Sequence, residues 1–174
     1  MKNLMHYGFI LGVICLVASG LLAAVNGFTR PKIIAQAQAQ EDATLKELLP
    51  EAARFEAVKS GDEVLYFKGY DSLGRFVGIV FKASGKGYSS VIETMVGMTA
   101  DDKITGIKVV NQNETPGLGS RIAQADFTTQ FTGKGSSSIN QVQAITGATI
   151  SSRAVINAVA AQAEAIKDFM KHEK

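Results

Sequence analysis

With one cysteine and two histidines, the chain has few ways to build a reactive centre. Cys15 lies inside an apolar run, so no disulfide can brace a soluble part, and the redox state of the compartment stays open. His6 and His172 stand near opposite ends. Between them no His-based triad or metal cluster can assemble, which speaks against a hydrolase. The paired carboxylates Glu41-Asp42 and Asp101-Asp102 fall in stalk-like and turn-like stretches and read as solvated charge. A formal net charge of +2, with its basic residues scattered, offers no stripe for nucleic acid, and no such partner is proposed. The glycine-rich stretches lack the Gly-x-Gly-x-x-Gly and Gly-Lys-Ser/Thr spacings, which rejects dinucleotide and P-loop readings.

A long apolar run is present instead. Leu4 to Val25 carries no formal charge, and at about 1.5 Å per residue it spans roughly 33 Å, matching a hydrocarbon core of about 30 Å. A cleaved signal peptide is the competing reading, but its apolar region usually covers only about 7–15 residues. Length favours a retained anchor. Bulky Ile14 before Cys15 speaks against a lipoprotein site, and Lys2 on one flank against Arg30 and Lys32 on the other leaves orientation undecided by charge.

The 174 residues leave room for one domain of ordinary size behind this anchor. We divide the chain into an anchor at 1–28, a helical stalk or linker at 29–54 and a domain at 55–174. The Ala-Gln alternation from Ala35 to Gln40 has helix propensity without large apolar groups. Leu45, Leu48 and Leu49 are expected to face the domain before Pro50 interrupts. Two β-rich pairs follow: Val64–Tyr70 with Phe76–Lys82 around a turn in which Gly74 supplies positive φ, and Val91–Met98 with Ile104–Val110. Four strands in hairpin order and a terminal helix predict an α+β fold, an antiparallel sheet with packed helices.

Two loops carry chemistry. In Ala144-Ile145-Thr146-Gly147-Ala148-Thr149-Ile150-Ser151-Ser152-Arg153, hydroxyls gather just before a helical pattern in which Val155, Val159, Ile166, Phe169 and Met170 share one face to about Lys171. Ser151 or Ser152 is expected to cap this helix, and its first turn with the positive end of the macrodipole favours a phosphate beside Thr149. A plain helix cap satisfies the same pattern. In Asn113-Glu114-Thr115-Pro116-Gly117-Leu118-Gly119-Ser120, proline fixes φ and two glycines permit close approach of a planar ligand; a simple strand-to-helix turn, with a short helix near Arg121–Ala125, is the plainer reading. Ser84–Ser90 reads as a β-turn connection and Gly133–Ser138 as an exposed loop.

Thr146-Gly147-Ala148-Thr149 followed by Ser151 resembles the Ser/Thr-Gly-Ala-Thr signature of the FMN-binding domain family, and Glu114-Thr115-Pro116-Gly117-Leu118-Gly119 is similar to its second motif. The resemblance implies FMN joined by a phosphoester to Thr149. Thr146, Gly147, Ala148, Ser151 and Ser152 would surround the attachment point, Glu114, Thr115, Gly117, Leu118 and Gly119 would form the facing loop, and Tyr88 or Lys86 would be flavin neighbours. The anchor, the stretch Leu21–Asn26 with Thr29-Arg30-Pro31-Lys32, both motifs and the terminal helix together resemble the G subunits of Rnf-type ion-translocating electron-transport complexes. The C subunit of the sodium-translocating NADH:quinone reductase shares the signatures but is usually longer, and is the alternative within the family.

That resemblance implies an electron-carrier subunit with covalent FMN in an ion-translocating ferredoxin:NAD oxidoreductase, a relay rather than a stand-alone enzyme. It implies other membrane redox subunits, a flavin transferase and membrane lipid as partners. The implied location is the cytoplasmic membrane of a bacterial or archaeal cell, single-pass, with the domain on the extracytoplasmic side. Gln143 departs from the family's usual Asp three residues before Thr146, which bears on attachment. A membrane-anchored assembly or binding module without flavin, in which Thr149 merely opens a helix, is the rival from another class.

Overall fold

The computed structural model describes the backbone of residues 2–61 and 63–171 and the side chains of 6–61 and 64–167. Two compact units divide between Asp42 and Ala43. The first lies within helix α1, Lys2–Leu48. Its apolar side chains, among them Leu16, Leu22 and Phe28, are exposed, as suits a helix whose natural contact is lipid. The chain thus carries one helix near its N-terminus that is long and apolar enough to anchor it in a membrane.

The second unit holds five antiparallel strands in the order β1-β2-β3-β4-β5: β1 Arg54–Ser60, β2 Glu63–Tyr70, β3 Phe76–Lys86, β4 Val91–Thr99 and β5 Ile104–Asn111. The sequence pattern gives four of these. β1 escapes it because an edge strand needs only backbone partners: its residues are exposed except for half-buried Phe55 and Val58, so no apolar alternation is written into it. At the β2–β3 turn Gly74 has the expected positive φ of 78°. Asp71 closes that turn by accepting from the amides of Leu73 and Arg75 at 2.8 and 2.9 Å.

The central strands are buried on both faces, so each side needs its own cover. On one face Ile79, Phe81, Val96 and Met98 pack with Val155, Ile156, Val159 and Ile166 of α3, Thr149–Lys171. Phe127 of α2, Ala125–Thr128, and Phe131 complete that core. On the other face Leu45, Leu48, Leu49 and Ala52 cover Val80 and Met95, the side expected for the three leucines. A Cβ on Gly97 would stand 2.5 Å from the Leu48 carbonyl oxygen, so the chain before β1 rests on bare backbone there. Phe169 and Met170, placed on the α3 face by sequence, lie outside the described side chains.

Two local expectations are corrected. The stretch expected as an exposed Gly133–Ser138 loop enters a 3₁₀ turn, Ser136–Gln141, with Ser136 buried and bonded to Asp102. The short helix expected near Arg121–Ala125 is a 3₁₀ turn, Gly119–Ala123, followed by α2.

Candidate functional site

Three stretches far apart in sequence meet at one end of the sheet: the β3–β4 turn, the loop after β5 and the start of α3. The turn is closed by the Gly87 amide donating to the Ser90 carbonyl at 2.8 Å. The loop after β5 folds on itself, with the amides of Leu118 and Ser120 both donating to the Thr115 carbonyl and Gly117 at φ +74°. Before α3, Gly147 turns the chain at φ +83° and the Ala148 amide returns to the Ile145 carbonyl.

Glu114 ties the three together. Its Oε1 accepts from the Ser89 amide at 3.0 Å, the Ser90 amide at 2.9 Å and the Ser90 hydroxyl at 3.3 Å. Its Oε2 accepts from the Tyr88 amide at 3.1 Å and the Ser151 hydroxyl at 2.6 Å. Burial pushes the carboxyl pKa up, but the Ser151 hydroxyl and the amides of Ser90, Ser89 and Tyr88 outweigh it and hold the group below the ordinary 4.5. Glycines make the room: a Cβ on Gly87 would stand 2.6 Å from Glu114 Oε1, and one on Gly119 would stand 2.8 Å from Glu114 Cβ.

The serines after Thr149 do not cap α3 as expected. Ser151 is turned to Glu114, while the Ser152 hydroxyl donates to the Ala148 carbonyl at 2.9 Å and accepts from the Ile145 amide at 3.1 Å. The amides of Thr149, Ile150 and Ser151, the first turn of α3, have no intrahelical acceptor. Thr149 is exposed, and no described residue engages its hydroxyl.

These groups line one cleft of about 500 Å³, bounded by Tyr88, Glu114, Thr115, Leu118, Gly119, Gly147, Ala148, Thr149, Ile150 and Ser151. The volume falls within the roughly 300–1,000 Å³ of small-molecule sites. Tyr88, Leu118 and Ile150 are half exposed or more, at 71, 50 and 57 %. They give the opening an apolar, aromatic rim around a polar floor.

Nine of the sequence candidates therefore come together. Gly117 sits at the tip of its loop, Thr146 is exposed and Ser152 is fully buried, and none of these three lines the cleft; nor does Lys86. Ile150, Ser89 and Ser90 went unmarked as candidates. Only the hydroxyl pair beside Tyr88 hinted at the last two, because their role depends on a partner 24 or 25 residues away. A second cleft of about 530 Å³ around Arg54, Tyr70 and Asp71 collects none of the candidates. Among the described residues no group of His, Cys, Asp and Glu is arranged to hold a metal.

Two family regions match in order: the RnfG N-terminal region over residues 1–48 and the FMN-binding domain over residues 87–164. The chain is 40 % identical to the G subunit of the ion-translocating oxidoreductase complex of Methanosarcina acetivorans, over 84 % of this chain and 86 % of that protein. It is 35 % identical to the G subunit of the Na⁺-translocating ferredoxin:NAD⁺ oxidoreductase complex of Acetobacterium woodii, and 33 % identical to the proton-translocating counterpart of Clostridium ljungdahlii. Both cover 91 % of this chain and 89 % of the relative. In fold it is similar to NqrC of Shewanella oneidensis, with a TM-score of 0.54 at 20 % identity over 71 % of this chain and 73 % of that one. The C subunit of the Na⁺-translocating NADH-quinone reductase of Parabacteroides distasonis gives the same TM-score at 17 % identity, over 76 % and 83 %. The quinone-reductase subunits thus share the fold, while the likeness that spans both anchor and domain is to the ferredoxin-linked and related G subunits. The chain belongs to the family of G subunits of Rnf-type ion-translocating oxidoreductase complexes.

Proposed function

We propose that the chain is a membrane-anchored electron-carrier subunit of an ion-translocating ferredoxin:NAD⁺ oxidoreductase complex, with FMN seated in the Thr149 cleft and joined through its phosphate to the Thr149 hydroxyl. The observation that carries this reading is the meeting of the Glu114–Gly119 loop and the first turn of α3 in one cleft, with Thr149 exposed in its wall.

The residues present suit the group. The amides at the start of α3, without intrahelical acceptors, favour a phosphate next to Thr149, and the exposed faces of Tyr88, Leu118 and Ile150 offer apolar cover for a planar ring. Bound FMN supplies transfer of electrons singly or in pairs. Thr149 keeps the carrier from dissociating, Ser151 and Glu114 hold the two walls in register, and the apolar stretch of α1 keeps the domain at the membrane among its partners. Those partners are the other redox subunits, membrane lipid and a flavin transferase that forms the ester. Gln143 is exposed, its backbone N–H donating to Gln130 Oε1 at 3.0 Å. A side chain there is open to that transferase, at a position where an Asp is usual.

Within this reading residues 1–28 are the anchor and 29–54 the stalk, whose last turns from Ala43 on pack into the flavin domain that 55–174 otherwise forms, held outside the cytoplasm. The test is in-gel fluorescence of the denatured protein together with peptide mass. We expect a fluorescent band and a Thr149 peptide heavier by one FMN less water, both lost in Thr149→Ala and partly kept in Thr149→Ser. A denatured wild-type protein without flavin, from cells that flavinylate other proteins, would make the chain an assembly module instead.

A further inference from the structure

Glu114 is 6 % exposed as a residue yet lines the same cleft as Thr149. Five donors point at it, and all are dipoles: three amides and two hydroxyls. Of the cations on the surrounding elements, Lys82, Lys108 and Lys167 pair with Glu93, Glu47 and Asp102, and among the described residues neither they nor Lys86, Arg121 and Arg153 form an ion pair with it. Hydrogen bonds from neutral groups stabilise an anion without cancelling its charge, so the field of a full negative charge remains in the cleft wall. In a partly water-excluded site such a field acts on a neighbouring charge far more strongly than in bulk water.

We infer that Glu114 is the residue that biases the flavin cleft against electron addition, keeping a flavin tethered at Thr149 a stronger reductant than the same site would without the carboxylate. This rests on the flavin reading above. The balance is simple: each electron accepted by the bound flavin adds negative charge beside a carboxylate that carries one already, so reduction is disfavoured in proportion to the charge not offset by proton uptake. Glu114 also fixes the geometry within which this occurs, because its two oxygens join the Tyr88–Ser90 turn to the first turn of α3. The field and the positioning come from one side chain. Ser151 adjusts the field, since its hydroxyl is the one side-chain donor that comes to the carboxylate from α3.

The two residues make opposite predictions, which separates an electrostatic role from mere structural support. Glu114→Gln removes the charge at nearly the same volume but sets its NH2 group against the Tyr88 backbone N–H, the smaller of the two mismatches open to it; Ser151→Ala keeps the charge and removes a dipole that partly offsets it. Full-length wild type, Glu114→Gln, Glu114→Asp and Ser151→Ala would be purified in detergent. Covalent FMN per chain would be measured by intact mass, and the midpoint potential by spectroelectrochemical titration. We expect a positive shift for Glu114→Gln, a return toward wild type for Glu114→Asp and a negative shift for Ser151→Ala. A flavinylated Glu114→Gln protein at the wild-type potential overturns this inference alone, as do shifts of the same sign in Glu114→Gln and Ser151→Ala. If Glu114→Gln does not fold, the sign in Ser151→Ala decides: an unchanged or positive value overturns the inference. A wild-type chain without covalent FMN overturns the proposed function, and this inference with it.

Discussion

The Ser151 hydroxyl donates to Glu114 Oε2 at 2.6 Å across 37 residues of sequence, and through that bond the first turn of the terminal helix is fastened to the loop after β5. Hydrogen bonds to charged groups contribute about 1.5–3 kcal/mol, neutral ones about 0.5–1.5 kcal/mol. Ser151→Ala loses one bond to a charged group and Ser152→Ala loses two to neutral backbone groups, so both are expected to destabilise the domain by about 1–3 kcal/mol. Urea unfolding checks this, and Ser151→Ala in a Glu114→Gln background isolates the charge: a cost there as large as in wild type would mean that the charge on Glu114 contributes little to the bond.

Acid should find the same joint. Folded Glu114 titrates below its ordinary 4.5, because the Ser151, Ser90, Ser89 and Tyr88 donors outweigh the upward push of burial. A depressed carboxyl stabilises the fold fully above its unfolded value, and the contribution is lost as pH falls through the folded one. The stability gap between wild type and Glu114→Gln is expected to be constant from pH 7 to about 5 and to narrow below about 4.5. A gap independent of pH down to acid unfolding would remove Glu114 from the acid response.

Glycine substitutions around the cleft should separate lack of space from backbone strain. At Gly87 and Gly119 a Cβ meets Glu114 at 2.6 and 2.8 Å, and overpacking of this kind costs about 1–3 kcal/mol. At Gly117 nothing lies within 4 Å, and only the positive φ of 74° opposes a side chain, at a cost of about 1–2 kcal/mol. Gly117→Ala is expected to lower the melting temperature while leaving retained flavin unchanged. Gly119→Ala should lower both, measured by calorimetry and by in-gel fluorescence.

Both loops were legible because their chemistry is contiguous. Glu114-Thr115-Pro116-Gly117-Leu118-Gly119 and Thr146-Gly147-Ala148-Thr149 each announce a turn, and residues from both line the cleft. The role of Ser151 was not legible: a hydroxyl at a helix start suggests a cap, and only the folded chain brings Glu114 to it. β1 was hidden for a different reason. Its pairing with β2 is made by backbone groups, and residues such as Glu56 and Lys59 carry no apolar period. The helix-propensity argument for Ala35–Gln40 needed no tertiary contact, and that stretch is helical.

Membrane orientation is open to a direct measurement. Lys2 and the pair Arg30 and Lys32 sit on opposite flanks of the apolar run, so charge leaves the choice to the short, weakly charged segment that stays behind during insertion. With Met1 inside, alkaline phosphatase fused after Lys174 is expected to be active. Inactive phosphatase with a fluorescent cytoplasmic-type fusion at the same site would put the cleft on the inner side and overturn the proposed placement of the domain outside the cytoplasm.

The last prediction concerns where the flavin domain begins. Leu45, Leu48, Leu49 and Ala52 lie before β1, yet they cover Val80 and Met95 on one face of the sheet. A chain starting at residue 55 loses that cover, and one starting at residue 43 keeps it. Burying a leucine side chain is worth about 1.5–3 kcal/mol, so removing three is comparable to the whole stability of about 5–15 kcal/mol typical of a domain. The fragment 43–174 is expected to fold cooperatively without detergent, and 55–174 to aggregate or to bind a hydrophobic dye across its exposed sheet face. Replacing Leu48 and Leu49 together by alanine in the longer fragment should approach the same outcome. If 55–174 unfolds with the same midpoint and cooperativity as 43–174, the leucines belong functionally to the stalk, and the sheet tolerates one bare face.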